Sequence, residues 1–159
     1  MTYTFMQNAV KEIMSTHLET IDVTENAQEA AKKMNHKRIS SVLVVDRDNK
    51  SEEPIGIVTE RDLVTRVCAP GRGSKEVGIR EIMSSPLATI EPEASVETAA
   101  DLMLSNRVRH LLVVDERTGK PVGIIAPSDL NKYLRAKINM DEVNARILEA
   151  IKAEESTEP

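Results

Sequence analysis

Val10 to Asp46, VKEIMSTHLETIDVTENAQEAAKKMNHKRISSVLVVD, runs without a gap against Ile79 to Asp115, IREIMSSPLATIEPEASVETAADLMLSNRVRHLLVVD. Pro54 to Leu63, PIGIVTERDL, then runs against Pro121 to Leu130, PVGIIAPSDL. The offset is 69 residues in the first block (Val10 to Ile79) and 67 in the second (Pro54 to Pro121), so the first copy carries two extra residues in its Arg47 to Glu53 loop. A repeat of this period marks a duplicated unit too short to bury a good core alone. Two such halves packed together form related clefts at their junction. The positions at which the halves differ then indicate what each cleft can hold.

Each copy parses in the same way. A short helical turn at Lys11 to Met14 (Arg80 to Met83) leads into an extended piece, Leu18 to Ile21 (Leu87 to Ile90). Ala27, Ala30, Ala31 and Met34 match Val96, Ala99, Ala100 and Met103 at helical spacing, which predicts an amphipathic helix with one buried face. Asn26 and Ser95 stand where its cap belongs. Val42 to Val45 (Leu111 to Val114) is a short apolar run ended by aspartate, the pattern of a covered strand. The run after the polar loop, Ile55 to Val58 (Val122 to Ile125), reads as an antiparallel partner, and a last helix starts near Asp62 (Asp129). The expected division is 1–67 for the first repeat, 68–78 for a linker, 79–136 for the second repeat, and 137–159 for a C-terminal amphipathic helix and tail. The linker, Cys68 to Gly78, contains Gly71, Arg72 and Gly73, which read as plain flexibility or as a weak anion cradle. In the last segment Ile138, Val143, Ile147, Leu148 and Ile151 predict a helix that packs on the body or on a second copy, with a disordered STEP end.

Composition narrows the function classes. Of 159 residues, 40% are hydrophobic and 30% charged, a soluble balance, while 2% aromatic leaves almost no stacking platform for single-stranded nucleic acid. A net charge of −5 opposes a general role on nucleic acid or anionic membrane. The lone Cys68 rules out an internal disulfide. No apolar run reaches membrane-span length and no signal peptide stands at the start, so a cytoplasmic protein is expected. Nucleophile-and-base signatures, a Walker loop and clustered metal ligands are all missing, which argues against an enzyme.

Two units of this order, each closing with a Gly-hydrophobic-hydrophobic-x-x-x-Asp string (GIVTERD, GIIAPSD), resemble a tandem pair of CBS domains from Val10 to about Leu134. The resemblance implies a mixed α+β fold in which two repeats pack through their sheets about a pseudo-twofold axis. It also implies two clefts for adenosyl ligands, and pairing into a homodimer. Thr59 and Asp62 match positions that hold a ribose in the family. A carboxylate can accept two charge-assisted hydrogen bonds from a cis-diol, and the Thr59 hydroxyl can reach the same sugar. Thr-x-x-Asp is equally a helix capping box. Asp129 persists where Ala126 has replaced the threonine, which leans toward a ligand role, although a helix-dipole role explains it too.

The copies differ most before the covered strand, where Arg107, Val108, Arg109 and His110 stand against Arg38, Ile39, Ser40 and Ser41. The two arginines of the second copy offer planar forks to phosphate and His110 adds charge at mildly acid pH, while a solvated basic turn or strand-edge charges that discourage aggregation read equally from the residues. Basic residues at the places of Arg109 and His110 also resemble those of the nucleotide-binding gamma subunit of AMP-activated protein kinase. The crossover this implies gives a main cleft in which Thr59 and Asp62 hold ribose, Ile57, Pro86, Leu87 and Ala88 flank the base, and Arg109 and His110 meet phosphate. The second, weaker cleft would use Ser128 and Asp129 with His17, Leu18, Glu19 and Ser40, and should disfavour polyphosphates. The expected function is regulatory sensing of AMP, ADP or ATP passed to an unidentified protein partner. The alternatives are an S-adenosylmethionine sensor and a ligand-free structural module acting through dimerisation.

Overall fold

The computed structural model describes residues 8–50, 53–137 and 140–156. Both copies fold into the same small mixed sheet. The first contains β1 (Thr20–Asp22), α1 (Ala27–Lys37), β2 (Ser41–Val45), β3 (Gly56–Thr59) and α2 (Glu60–Leu63), which widens into a π turn over Val64–Cys68. The second contains α3 (Ile79–Ile82), β4 (Thr89–Ile90), α4 (Val96–Asn106), β5 (Leu111–Asp115), β6 (Lys120–Ile125) and α5 (Pro127–Lys137), and α6 (Met140–Glu155) follows. In each sheet the first two strands are parallel, because a whole helix crosses between them, and the last two are antiparallel. The helix and strand expectations therefore hold, with Asn26 and Ser95 accepting from the Glu29 and Thr98 amides as N-caps.

The apolar spacing fixes which face each helix buries. Ala27, Ala30 and Met34 pack with Val42, Val44 and Val58 in one core, and Ala99 packs with Leu111, Val113 and Ile125 in the other. Alanine at the contact lets the helix backbone approach the sheet closely. Full burial of each branched aliphatic side chain contributes roughly 1.5–3 kcal/mol. Both crossing helices end on an arginine in the left-handed region, Arg38 at φ 54° and Arg107 at φ 53°. A side chain in this conformation costs on the order of 1 kcal/mol relative to glycine.

The two cores exchange their first turns. Val10, fully buried, belongs to the second core, where its N–H donates to the Ala94 carbonyl and Ser15 pairs with Ile124. Ile79 and Ile82 belong to the first core, and Ser84 pairs with Ile57. The packing units are thus not contiguous in sequence, and each half is completed by a segment lying next to the other. The exchange explains a glycine in each closing string. A Cβ on Gly56 would stand 2.9 Å from Met83 Sδ and 3.1 Å from the Ser84 carbonyl oxygen. On Gly123 it would stand 2.9 Å from the Ser15 carbonyl oxygen and collide with Met14 Sδ.

Other sequence expectations are modified. Cys68 ends the helical stretch after β3 instead of opening the linker, and within Cys68 to Gly78 Val77 is buried in the first core. Arg72 pairs with Glu81 at 2.8 Å, and the Gly71 and Arg72 amides donate to the Cys68 and Val67 carbonyls, so these groups are turned inward and not toward an anion. The segment 140–155 is a helix as expected, and every side chain from Glu142 to Glu155 is exposed, so none of these is buried against the body. Ile138 and positions 157–159 of the STEP end lie outside the described residues. No helix among the described residues is long and apolar enough to cross a membrane.

Candidate functional site

Two cavities where the two halves meet hold the candidate residues. Cleft I encloses about 610 Å³ and is lined by all eight residues expected there: Ile57, Thr59 and Asp62 from the first sheet and its helix, Pro86, Leu87 and Ala88 from the approach to β4, and Arg109 and His110 before β5. Asp62 is the one buried charged residue described, 7% exposed. Its Oδ2 accepts from the Thr59 amide at 2.9 Å and from the Thr59 hydroxyl at 3.1 Å, while the Asp62 amide donates back to Thr59 Oγ1. The capping box is therefore formed. The other oxygen, Oδ1, accepts from the Ser84 hydroxyl at 3.2 Å and has Arg66 Nε at 3.9 Å. Arg66 in turn donates to the Ile82 and Met83 carbonyls, pinning the exchanged turn against α2.

Three further arginines line cleft I without an ion pair among the described residues: Arg61, Arg107 and Arg109. With Arg66 they outnumber the carboxylates of the lining, Glu60 and Asp62. Of these, Arg61, Arg66 and Ser84 were not singled out from sequence. Arg61 and Arg66 lie beside Asp62 in the chain, but nothing in their spacing says which wall they face.

Cleft II, about 780 Å³, is lined by His17, Leu18, Glu19 and Ser40 on one side and Ser128 and Asp129 on the other, as expected. Glu19, Glu60 and Asp129 here outnumber Arg38 and Lys132. Glu19 is not a bare charge. His17 lies at 2.6 Å, Lys37 at 3.6 Å and Lys33 at 3.8 Å from its carboxylate, and the His17 hydrogen bond leads in holding its pKa below the usual carboxylate range. These lysines were missed because contacts across 14 and 18 residues depend on how α1 lies against β1. Asp129 accepts from the Ala126 amide at 2.8 Å, so half of a capping box survives without the threonine. That cap gives the persistence of Asp129 a structural account beside the ligand role. Burial pushes the Asp129 pKa up.

Ser40, Glu60 and Ser128 line both cavities and form the wall between them. Across that wall Ser40 Oγ and His110 Nε2 stand 3.0 Å apart. Burial is the leading influence on His110 and lowers its pKa, with the Arg109 charge acting the same way and Asp62 opposing. At neutral pH His110 is therefore a neutral hydrogen-bonding group, and the charge expected of it at mildly acid pH is pushed to lower pH. Among the described residues no group of His, Cys, Asp and Glu could hold a metal ion.

The profile of the CBS domain matches residues 10–68 and 79–136. The chain belongs to the CBS-domain family. An uncharacterized protein of Methanopyrus kandleri is 41% identical over 133 residues, covering 82% of this chain and 66% of that one. A solved protein with CBS domains from Burkholderia ambifaria is 33% identical, with a TM-score of 0.73 over 81% of this chain and 95% of that one. The solved hexameric CBS-CP12 protein of bloom-forming cyanobacteria is 29% identical, with a TM-score of 0.70 over 91% of this chain and 88% of that one. The fold and the tandem arrangement read from the repeat are those of a CBS pair, and CBS-domain proteins of this kind are typically regulatory modules.

Proposed function

We propose that this CBS pair is a regulatory sensor whose cleft I binds an adenine nucleotide of the AMP, ADP and ATP class. One observation carries the reading: residues from both halves surround a single cavity, with the buried carboxylate of Asp62 from α2 and with Arg107 and Arg109, which have no ion pair among the described residues, from the approach to β5. That arrangement suits a ligand with a diol at one end and phosphates at the other. A ribose would take Asp62 Oδ1 from the Ser84 hydroxyl, and so would change how the exchanged turn is held. Because that turn completes the first core, occupancy of cleft I acts on the packing of the two halves. A ligand shifts such an equilibrium only by its difference in affinity between the two states.

Cleft II, poorer in cations, suits an uncharged or cationic adenosyl compound such as S-adenosylmethionine. The readout belongs to a protein partner or to a homo-oligomer. Support for self-association comes from the open apolar stripe of α6, Val143, Ile147, Leu148 and Ile151, and from the hexameric relative, whose match extends over 91% of this chain. Calorimetric titration with AMP, ATP and S-adenosylmethionine tests the assignment. ATP should fill one cleft tightly, and Asp62→Asn, which keeps an acceptor for the helix cap, should weaken it at least tenfold, about 1.4 kcal/mol. Equal tight binding of ATP at both clefts, or an unaltered affinity in Asp62→Asn, contradicts it.

A further inference from the structure

Arg107 and Arg38 occupy matching places, the left-handed residue that closes α4 and the one that closes α1. Glycine suits this place best, because a Cβ crowds the neighbouring carbonyl. Both copies nevertheless carry arginine there. Arg107 lines cleft I and Arg38 lines cleft II, and neither guanidinium has an ion pair among the described residues. The left-handed turn itself closes each helix, but glycine would close it with less strain, so an arginine kept there in both halves and lining a cavity points to use of the side chain.

The surroundings give that use a direction. Val108 packs against the second core, and its amide donates to the Met103 carbonyl. Arg107 and Arg109, on either side of it, both line cleft I. Two planar forks thus share one wall. One fork engages a single phosphate group bidentately, and a second fork two residues away on the same wall can reach the next phosphate of a longer tail. In cleft II the counterpart of Arg109 is Ser40, so Arg38 stands there without a neighbouring fork.

We propose that Arg107 is the residue through which cleft I selects a polyphosphate tail over a single phosphate. The proposal rests on the nucleotide reading above and adds the phosphate class to it. Arg107→Gly is the informative variant, because it relieves the left-handed strain while removing the fork. The purified full chain and the variant are titrated calorimetrically with ATP, AMP and inorganic tripolyphosphate, and their melting points are measured without ligand. Arg117→Ala, in the β5–β6 turn and outside both cavities, is the control for lost charge.

In Arg107→Gly the ligand-free melting point should stay level or rise. ATP and tripolyphosphate should bind at least tenfold more weakly, AMP should change less than threefold, and Arg117→Ala should leave all three affinities as in the parent. Equal losses for ATP and AMP, or no loss for either, overturn the proposal. If the parent binds tripolyphosphate but no nucleotide, and Arg107→Gly weakens it, the nucleotide reading falls and the polyphosphate selection stands. If the parent binds none of the three probes, both fall.

Discussion

Cleft I and cleft II are built on matching strands, helices and caps, yet they differ in the two properties that decide what an anion would meet. In cleft I both oxygens of Asp62 are engaged and the arginines outnumber the carboxylates. In cleft II Asp129 is engaged through one oxygen, and Glu19 gathers the nearby cations to itself. The lesson is that a duplicated backbone can keep two equivalent cavities while a handful of side chains assigns them different chemistry. Arg109 against Ser40, Thr59 against Ala126 and Ala88 against Glu19 carry most of that difference.

The sharpest way to break the comparison is at the exchanged turns, where the halves differ in tightness. Gly123→Val forces a side chain onto Met14 and the Ser15 carbonyl, while Gly56→Val meets Met83 and the Ser84 carbonyl at slightly longer range. Overpacking of this kind costs roughly 1–3 kcal/mol, and more where backbone is in the way. Gly123→Val should be the more damaging, at about 3 kcal/mol or above in urea unfolding, with Gly56→Val below it. The reverse order would mean that the two turns are not held alike.

The carboxylates separate the halves next. Asp62→Ala removes acceptors from the Thr59 amide, the Thr59 hydroxyl and the Ser84 hydroxyl, whereas Asp129→Ala strips only the Ala126 amide. Loss of a helix cap costs about 0.5–2 kcal/mol, and an orphaned buried donor adds to it. Asp62→Ala should therefore lose about 2 kcal/mol or more and Asp129→Ala about 1 kcal/mol, measured as shifts in unfolding midpoint. Equal losses would remove Asp62 from its special place in the fold.

Much of this frame is legible in the chain itself, and the part that is not has a definite cause. Ala27, Ala30 and Met34 announce α1 because helical period and residue size are local properties. The exchange of Val10 and Ile79 between cores is illegible because the two turns are nearly the same sequence, so each sheet would accept either. Only Gly56 and Gly123 hint at a close crossing, and a glycine in a strand marks a bulge or a bend just as readily. The cleft residues that repeat or contrast between the copies can be located from the alignment of one half on the other. Lys33 and Lys37 beside Glu19, and Ser84 beside Asp62, become visible only when the chain is folded, since distance in sequence says nothing of the angle at which a helix crosses a strand. The stripe on α6 marks a face that wants cover, and amphipathicity alone does not say whose.

A smaller effect sharpens the charge contrast. Glu19→Gln removes the carboxylate that holds His17, Lys33 and Lys37, leaving two lysines beside cleft II without that partner. ATP affinity at cleft II should rise by about threefold to tenfold at low salt, and the gain should shrink at about 0.5 M salt, where screening is short-ranged. No gain at low salt would show that charge is not what separates the clefts.

The smallest expected effect lies in the wall that the clefts share. His110 has Ser40 at 3.0 Å, with Asp62 and Arg109 as the charges acting on it, and burial lowers its pKa from the ordinary 6.5. The unfolded chain takes up a proton near that ordinary value, while the folded chain resists until the pH is lower. Stability from this group is therefore fully present above pH 6.5 and is lost as the pH falls through the depressed folded value. A phosphate chain in cleft I reverses the tendency, because its charge favours the imidazolium. ATP binding should then take up protons below pH 6.5, and the ATP-induced rise in melting point should grow between about pH 7 and pH 6. In His110→Gln both the acid-side loss of stability and the growth of the ATP shift should flatten. If ATP stabilises the parent equally across that range, His110 does not face the phosphates, and the wall between the clefts is structural alone.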